Sequence, residues 1–423
     1  MSSVLSIHAK PQSVKKFYFL EYFYILLKSV QTYSSRERVF EHFLILKQAH
    51  RLGLSRYKKL TADDPDSPKK MGKYKYTFQQ VVNETTEYEL ISVIGDDFSL
   101  TVGGEQALTI YETKGSVCFN ELLCRLMENK YLAFSYLLDV CYTANPEKSG
   151  LLVFPVYSAS RLGIERSLIK TSEDLRNYFA RLKHRLEQDI HKRLGKSRSL
   201  DEKNEELLDR LVKAELLPGE RSKPFDAKKY NVILKRVRDF WLRYFLKDLY
   251  NYKFSLNSFD IWAYRGKQIG ILHITEFYPD PSFNGRIVYP LSVIKESTSS
   301  KHFREIHAYS DNLRLYAHRL SWEDEQDQEE FVQSLYHAYR DVRQSVRSYF
   351  VNLSNVRERV CYNLKIPEFL FDEFLGHAYH TRLKIRISLE VDKHPDETTA
   401  IYLKRAPVMI DGKYRNIIAI DLA

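Results

Sequence analysis

Residues 229–294 constrain this chain more than any other stretch. Ile233, Val237, Phe240, Trp241, Tyr244 and Phe245 recur at helical spacing and give a wide apolar stripe, while Lys235, Arg236, Arg238, Arg243 and Lys247 take the remaining faces. Ser255 offers a side-chain acceptor for a second helix start. Leu256, Phe259, Ala263 and Gly266 then fall on one side of that helix, and Asn257, Tyr264 and Gln268 on the other with Arg265 and Lys267 beside them. Residues 271–278 and 286–294 are rich in β-branched and aromatic side chains, and the loop closed by Asn284-Gly285 turns the chain back between them. Pro290 has no N–H to give a ladder, which predicts an edge strand.

A long helix, a second helix and a ribbon, in that order, resemble the winged-helix DNA-binding superfamily. The resemblance implies that the second helix enters a groove and the ribbon lies on the sugar–phosphate backbone beside it. Asn257, Arg265 and Gln268 are then the candidates for groove contacts, with Tyr264, Lys267 and Arg286 around them. The plainer alternative is a β-hairpin docked on two helices whose outer residues are polar because they meet water.

Further copies of the pattern follow from the rest of the chain. Residues 14–31 read as an aromatic-rich helix, and Ser34 or Ser35 begins another that stops near Gly53. The Lys, Asp, Pro and Ser of 56–75 read as a linker, and 81–94 as a helix. In 98–108 a strand ending in Leu-Thr, then glycine, then a helix start resembles the passage out of a wing, with Gly103-Gly104 as a turn. Helices over 116–131 and 132–140, then the apolar run 151–157, make another candidate. In 172–216, Leu175, Phe179, Leu182, Leu186 and Ile190 step by three or four, and Gly195 separates them from a second charged segment. That is an antiparallel helical pair or a coiled-coil arm. Beyond a loop at 295–301 a helical stretch with His302 and His307 is expected. Ser321 to Asp324 is a capping-box-like start, another helix begins at Ser354, and Pro367 opens one through about Arg382. Strands at 384–391 and 400–404, and a turn at Asp411-Gly412 before 417–420, complete a C-terminal copy, in which His377, His380, Arg382 and Lys384 are candidate phosphate contacts.

The chemistry of an enzyme is not evident. No phosphate-cradling Gly-x-x-x-x-Gly-Lys-Ser/Thr or Gly-x-Ser-x-Gly occurs. Asp260 and Glu276 have the spacing of a metal-dependent nuclease, yet Tyr278 stands where the lysine belongs. Glu373, His377 and His380 sit at i, i+4 and i+7, but no fourth ligand is evident, so no metal and no cofactor is expected. Cys118, Cys124, Cys141 and Cys361 lack metal or disulfide spacing and suit a reduced, cytoplasmic setting. No uncharged apolar run suggests a leader or a membrane span. The net charge of +10 fits a polyanionic partner.

The expectation is therefore an α+β protein of multiple winged-helix-like domains joined by helical segments. The expected division is a helical and winged region over 1–160, a charged arm over 161–224, a central winged domain over 225–300 and a C-terminal helical and winged domain over 301–423. The resemblance implies a protein that binds double-stranded DNA through winged helices; with several modules and no small-molecule pocket signature, the expectation is a non-enzymatic accessory or recognition subunit of a prokaryotic DNA-processing or phage-defence system, with protein partners in a larger complex. Two alternatives stay open: an architectural subunit of a kleisin-like chromosome-organising complex, and a metal-dependent nuclease.

Overall fold

The computed structural model describes residues 17, 19–52, 67–143, 152–154, 169–195, 197–252, 254, 259–275, 286–290, 293–294, 304–309, 314–318, 320, 322–381, 385–391, 408–411 and 413–422. The first elements are α1 (Glu21–Thr32), α2 (Arg36–Leu52), α3 (Ser67–Glu87), β1 (Ile91–Ile94), β2 (Asp97–Leu100), α4 (Val102–Lys130), α5 (Leu132–Thr143) and β3 (Leu152–Phe154). Next come α6 (Ser172–Leu194), α7 (Asp201–Lys213), α8 (Tyr230–Arg243), a π-helical turn at Tyr244–Leu249, α9 (Phe259–Ile269), β4 (Leu272–Thr275), β5 (Arg286–Pro290), β6 (Val293–Ile294), β7 (Arg304–Tyr309) and β8 (Arg314–His318). The last are α10 (Glu325–Val346), β9 (Val351–Asn352), α11 (Leu353–Leu364), α12 (Glu368–His380), β10 (Ile385–Glu390), β11 (Val408–Ile410), β12 (Lys413–Arg415) and β13 (Ile417–Leu422). The architecture is mostly helical with small antiparallel sheets, an α+β fold. Among the described residues no helix is long and apolar enough to cross a membrane.

Two compact units interleave along the chain: residues 1–135, 257–271 and 291–423 form the first, and 136–256 with 272–290 the second. The stretch expected to be one central module is therefore divided. Its long helix α8 and its ribbon β4–β5 belong to the second unit, and its short helix α9 to the first.

In the first unit the N-terminal elements build a core because α1 is apolar on nearly every face. Tyr22, Phe23, Ile25, Leu26, Leu27 and Val30 are all buried, where each large side chain contributes about 1.5–3 kcal/mol. Val39 and Phe43 of α2 and Phe78, Val81 and Val82 of α3 pack toward the same interior. The helix expected over 81–94 stops at Glu87; β1 then pairs with β2 through a tight turn at Gly95, whose φ of +62° suits glycine. Ser35, between α1 and α2, bridges to Asp97, and the Phe98 N–H donates to the Ser34 carbonyl at 2.8 Å. Extended backbone at 34–35 thus lies on the free side of β2, giving the lateral order β1, β2, Ser35.

The expected passage from strand to helix at 98–108 is present, but Gly103 and Gly104 lie in the first turn of α4, not in a turn of their own. Thr101 caps that helix by accepting from the Gly104 N–H at 3.0 Å. Gly115, at φ 82°, breaks α4 into two helical stretches.

The C-terminal elements repeat the plan. Asp324 caps α10 by accepting from the N–H groups of Gln326 and Asp327. The short β9 follows, then α11 and α12, then β10 and β13, in a sheet ordered β10-β13-β9. Phe331, Leu335, Tyr339, Val356, Val360, Phe371 and Phe374 fill the core between these helices and the sheet. β11 and β12 form a hairpin, Ile410 opposite Lys413. The helix expected around His307 is instead strand β7, paired with β8 in a sheet ordered β6-β8-β7. Residue 302, the segments 295–301 and 400–404, and Gly412 lie outside the described residues.

In the second unit α6 and α7 form the expected antiparallel pair. The Leu200 N–H donates to Glu187 Oε1 at 2.7 Å near one end, and Ser172 Oγ donates to the Pro218 carbonyl at 3.0 Å near the other. Gly195 ends α6 in the left-handed region. The 217–224 segment, the end of the expected arm, is tied to the start of α6 by a bridge between Thr171 and Pro224. The sheet is ordered β3-β5-β4, so the strand carrying Pro290 is central, not an edge. Among the described residues β3 pairs with β5 only over Arg286 to Val288, so the ladder they show on that side asks no N–H of Pro290.

Thr171 and Asp174 make a reciprocal capping box at the start of α6. The backbone N–H groups of Thr171 and Lys170 hold the Asp174 carboxyl below its ordinary value. A carboxyl depressed on folding contributes stability above its unfolded pKa and loses it as pH falls through the folded value. The melting temperature of the wild type is expected to fall more steeply than that of Asp174→Asn on acidification from pH 5 to pH 3; parallel curves would show that the cap is not coupled to folding.

Candidate nucleic-acid interface

The helix expected to read DNA is buried. Ile261, Trp262, Ala263, Tyr264 and Ile269 of α9 are at most 9% exposed, and Arg265 is fully buried. Arg265 meets Glu84 of α3 in a two-pronged ion pair, Nη1 to Oε1 at 2.5 Å and Nη2 to Oε2 at 2.9 Å. Its Nη2 also donates to the Phe17 carbonyl at 3.3 Å, and the guanidinium lies 4.6 Å from the Phe17 ring centroid. Burial disfavours the charged guanidinium, but Glu84, with Tyr88 and Tyr131, outweighs that and shifts its pKa upward. Tyr88 donates to Glu84 at 2.7 Å, and burial first, then that carboxylate, pushes its phenol well above the usual range.

The neighbours of Arg265 are engaged as well. Gln268 Oε1 accepts from the Leu20 N–H at 3.0 Å, and Lys267 pairs with Glu368 of α12 at 2.9 Å. Glu368 also faces Arg357 at 3.6 Å. At the end of α9, Gly270 has φ +92°, and a Cβ there would stand 2.5 Å from the Phe369 ring. Tyr264, Arg265, Lys267 and Gln268 therefore join the N-terminal and C-terminal elements of the first unit to one another, and none of them presents a free donor to a groove. Arg286 lies on β5 opposite Phe154. Asn257, Arg382 and Lys384 lie outside the described residues.

The face that does point outward belongs to α3, within a stretch whose first part reads as a linker in sequence. Phe78, Val81, Val82 and Thr85 define its buried side. The 3.6-residue period puts Tyr76, Gln80 and Asn83 on one line along the opposite side, and the helix positions in register with that line are 69 and 73, both lysines in the sequence. Tyr76 is 48% exposed, and Gln80 and Asn83 are half-buried. Gln79 Nε2 donates to Asn83 Oδ1 at 2.7 Å and Arg36 donates to Gln79 at 2.9 Å, which fixes the amides beside this line. The sequence of the first half of the helix holds four lysines, at 69, 70, 73 and 75, and no carboxylate precedes Glu84. The hairpin beside it differs in charge, since Asp96 and Asp97 are exposed at its tip and Asp96 pairs with Arg36 at 3.2 Å.

No protein-family model, curated protein or solved structure matches this chain. The site therefore rests on its own geometry. Lysines at the positive end of a helix, followed along one face by a tyrosine and two amides, suit a polyanion whose interior offers hydrogen-bonding edges.

The equivalent helix of the C-terminal elements lacks that character. Glu368, Asp372 and Glu373 occupy the first half of α12, and Asp372 accepts from Arg357 at 3.2 Å. His377 stacks on Trp322 with ring centroids 5.3 Å apart, and His380 pairs with Asp411 at 3.0 Å. Among the described residues no three side chains are grouped to hold a metal ion. Cys118, Cys124 and Cys361 are free; Cys124 and Cys361 are buried in the core, and that burial pushes their thiols well above the ordinary value.

Proposed function

We propose that this protein is a non-enzymatic subunit that binds duplex DNA along the outer line of α3. The line Lys69, Lys73, Tyr76, Gln80 and Asn83 carries the reading, because it combines phosphate-neutralising charge with donors and acceptors fit for base edges. The topology supports it. In α1, Ser35, α2, α3, β1 and β2, and again in α10, β9, α11, α12, β10 and β13 with the hairpin β11–β12 inserted before the last strand, three helices precede a pair of antiparallel strands, and a short stretch between the first two helices (a single bridge at Ser35, the strand β9) pairs with the final strand. That is the connectivity of a winged helix, whose third helix enters the major groove. The N-terminal copy has the cationic third helix; the acidic α12 makes the C-terminal copy a structural or protein-binding one.

Fluorescence anisotropy with a labelled duplex across a salt series tests the proposal. Wild-type affinity should fall steeply with salt, and Lys69→Gln with Lys73→Gln should reduce the slope of log K against log salt by about 2. Gln80→Ala should leave the slope alone and lower the preference among duplex sequences. An unchanged slope in the lysine variant would place the DNA elsewhere, and no binding at any salt would end the DNA reading.

A further inference from the structure

The second unit carries a groove that the DNA reading does not use. α7 and α8 lie antiparallel, Arg210 covering the Phe240 ring at 5.3 Å, and between their outer surfaces runs a cleft of about 490 Å³. Its floor is apolar: Leu211, Leu216, Val232 and Phe240, with Val232 48% exposed. Its rim is cationic: Arg210, Lys235, Arg236 and Arg243, all exposed. Arg210 is already held by Glu206, and the rim's one carboxylate, Asp239, faces Arg238 at 3.3 Å. Among the described residues, Lys235, Arg236 and Arg243 have no carboxylate in ion-pair range.

We infer that this groove docks an amphipathic, acidic helix of a partner protein, with aliphatic side chains on the floor and Asp or Glu against the rim. Val232, Lys235, Arg236, Asp239, Phe240 and Arg243 recur every three or four residues of α8, so the cleft follows that helix for about 16 Å, the length of three helical turns. The floor decides between classes of partner. Phosphates gain nothing from Leu211, Val232 and Phe240, whereas a helix laying anchors at i, i+4 and i+7 into an apolar groove gains both burial and rim pairing. A solvated charged face would have no need of four apolar side chains between its cations.

The probe is a fluorescein-labelled synthetic peptide of about three helical turns, with leucines on one face and glutamates on its flanks. The controls are its scrambled form and a version with lysine in place of glutamate. The acidic amphipathic peptide should bind the full chain at least tenfold more tightly than either control. Lys235→Glu with Arg236→Glu, at exposed positions, should abolish binding without moving the melting temperature, and Val232→Asp should weaken it separately. Lys69→Gln with Lys73→Gln should leave peptide binding intact, so this result stands or falls apart from the DNA reading. Equal binding of the scrambled peptide, or insensitivity to the charge reversal, would overturn the inference. Displacement of the peptide by duplex DNA, with the charge reversal weakening both equally, would make the groove a nucleic-acid surface instead.

Discussion

Arg265→Met is expected to destabilise the first unit by about 3–5 kcal/mol, because it leaves the Glu84 carboxylate buried without its counter-charge. Removing both charges is a different matter. Glu84→Gln with Arg265→Met keeps an acceptor for Tyr88 and removes the uncompensated ion, so more than half of the loss should return. Urea unfolding of the four proteins closes the cycle; additive losses would mean that the two groups do not act as a pair. Measured well below its transition, Arg265→Met should bind duplex DNA as the wild type does. The sequence suggests the reverse, weaker binding at unchanged stability, and the burial of α9 is the reason for the change.

Gly104→Ala should cost about 3 kcal/mol or more. An added Cβ would lie 2.0 Å from the Leu90 carbonyl oxygen and 3.0 Å from its carbon, and both are backbone atoms that cannot turn aside. The helix must then retreat from the Leu90 backbone just before β1, stretching the cap between Thr101 and the Gly104 N–H. Its neighbour supplies the control. A Cβ on Gly103 meets nothing closer than 3.7 Å, so Gly103→Ala should be neutral or stabilise by up to about 1 kcal/mol through the helical preference of alanine. Thermal melts of the two variants should separate widely; coincident curves would refute the close packing of α4 on the Leu90 backbone.

Local signals in the sequence carry much of this fold. The apolar period of α1, α2, α10 and α11, the Gly195 stop and the two helices after it are readable from neighbours a few residues apart, whereas α10 is capped by Asp324, the last residue of the capping-box-like start expected from Ser321. The functional surface is less so. Arg265 lies beside polar Lys267 and Gln268, and nothing local reveals a partner 181 residues earlier in the chain. A hint is present nonetheless, since Ile261, Trp262, Ala263 and Tyr264 are four consecutive apolar residues, and a helix apolar on every face is a buried one. The outer line of α3 is hidden by composition: Pro68 and the lysines read as linker, although proline in the first turn is also a helix start, and Lys69 and Lys73 keep step with Tyr76 and Gln80. The strands at 304–318 pair with one another and with β6, which helical periodicity does not reveal.

The buried pairing of α3 with α9 also sets an order of events during synthesis. As the chain leaves the ribosome, residues 1–135 emerge before Arg265, so Glu84 has no cation to meet until 181 more residues have been made, and the rings of Tyr131 and Phe134 have no Trp262 to pack against. The core of the first unit is therefore complete only once α9 has been made, and a chain ending before 257 lacks the ion pair and the ring contacts that close it.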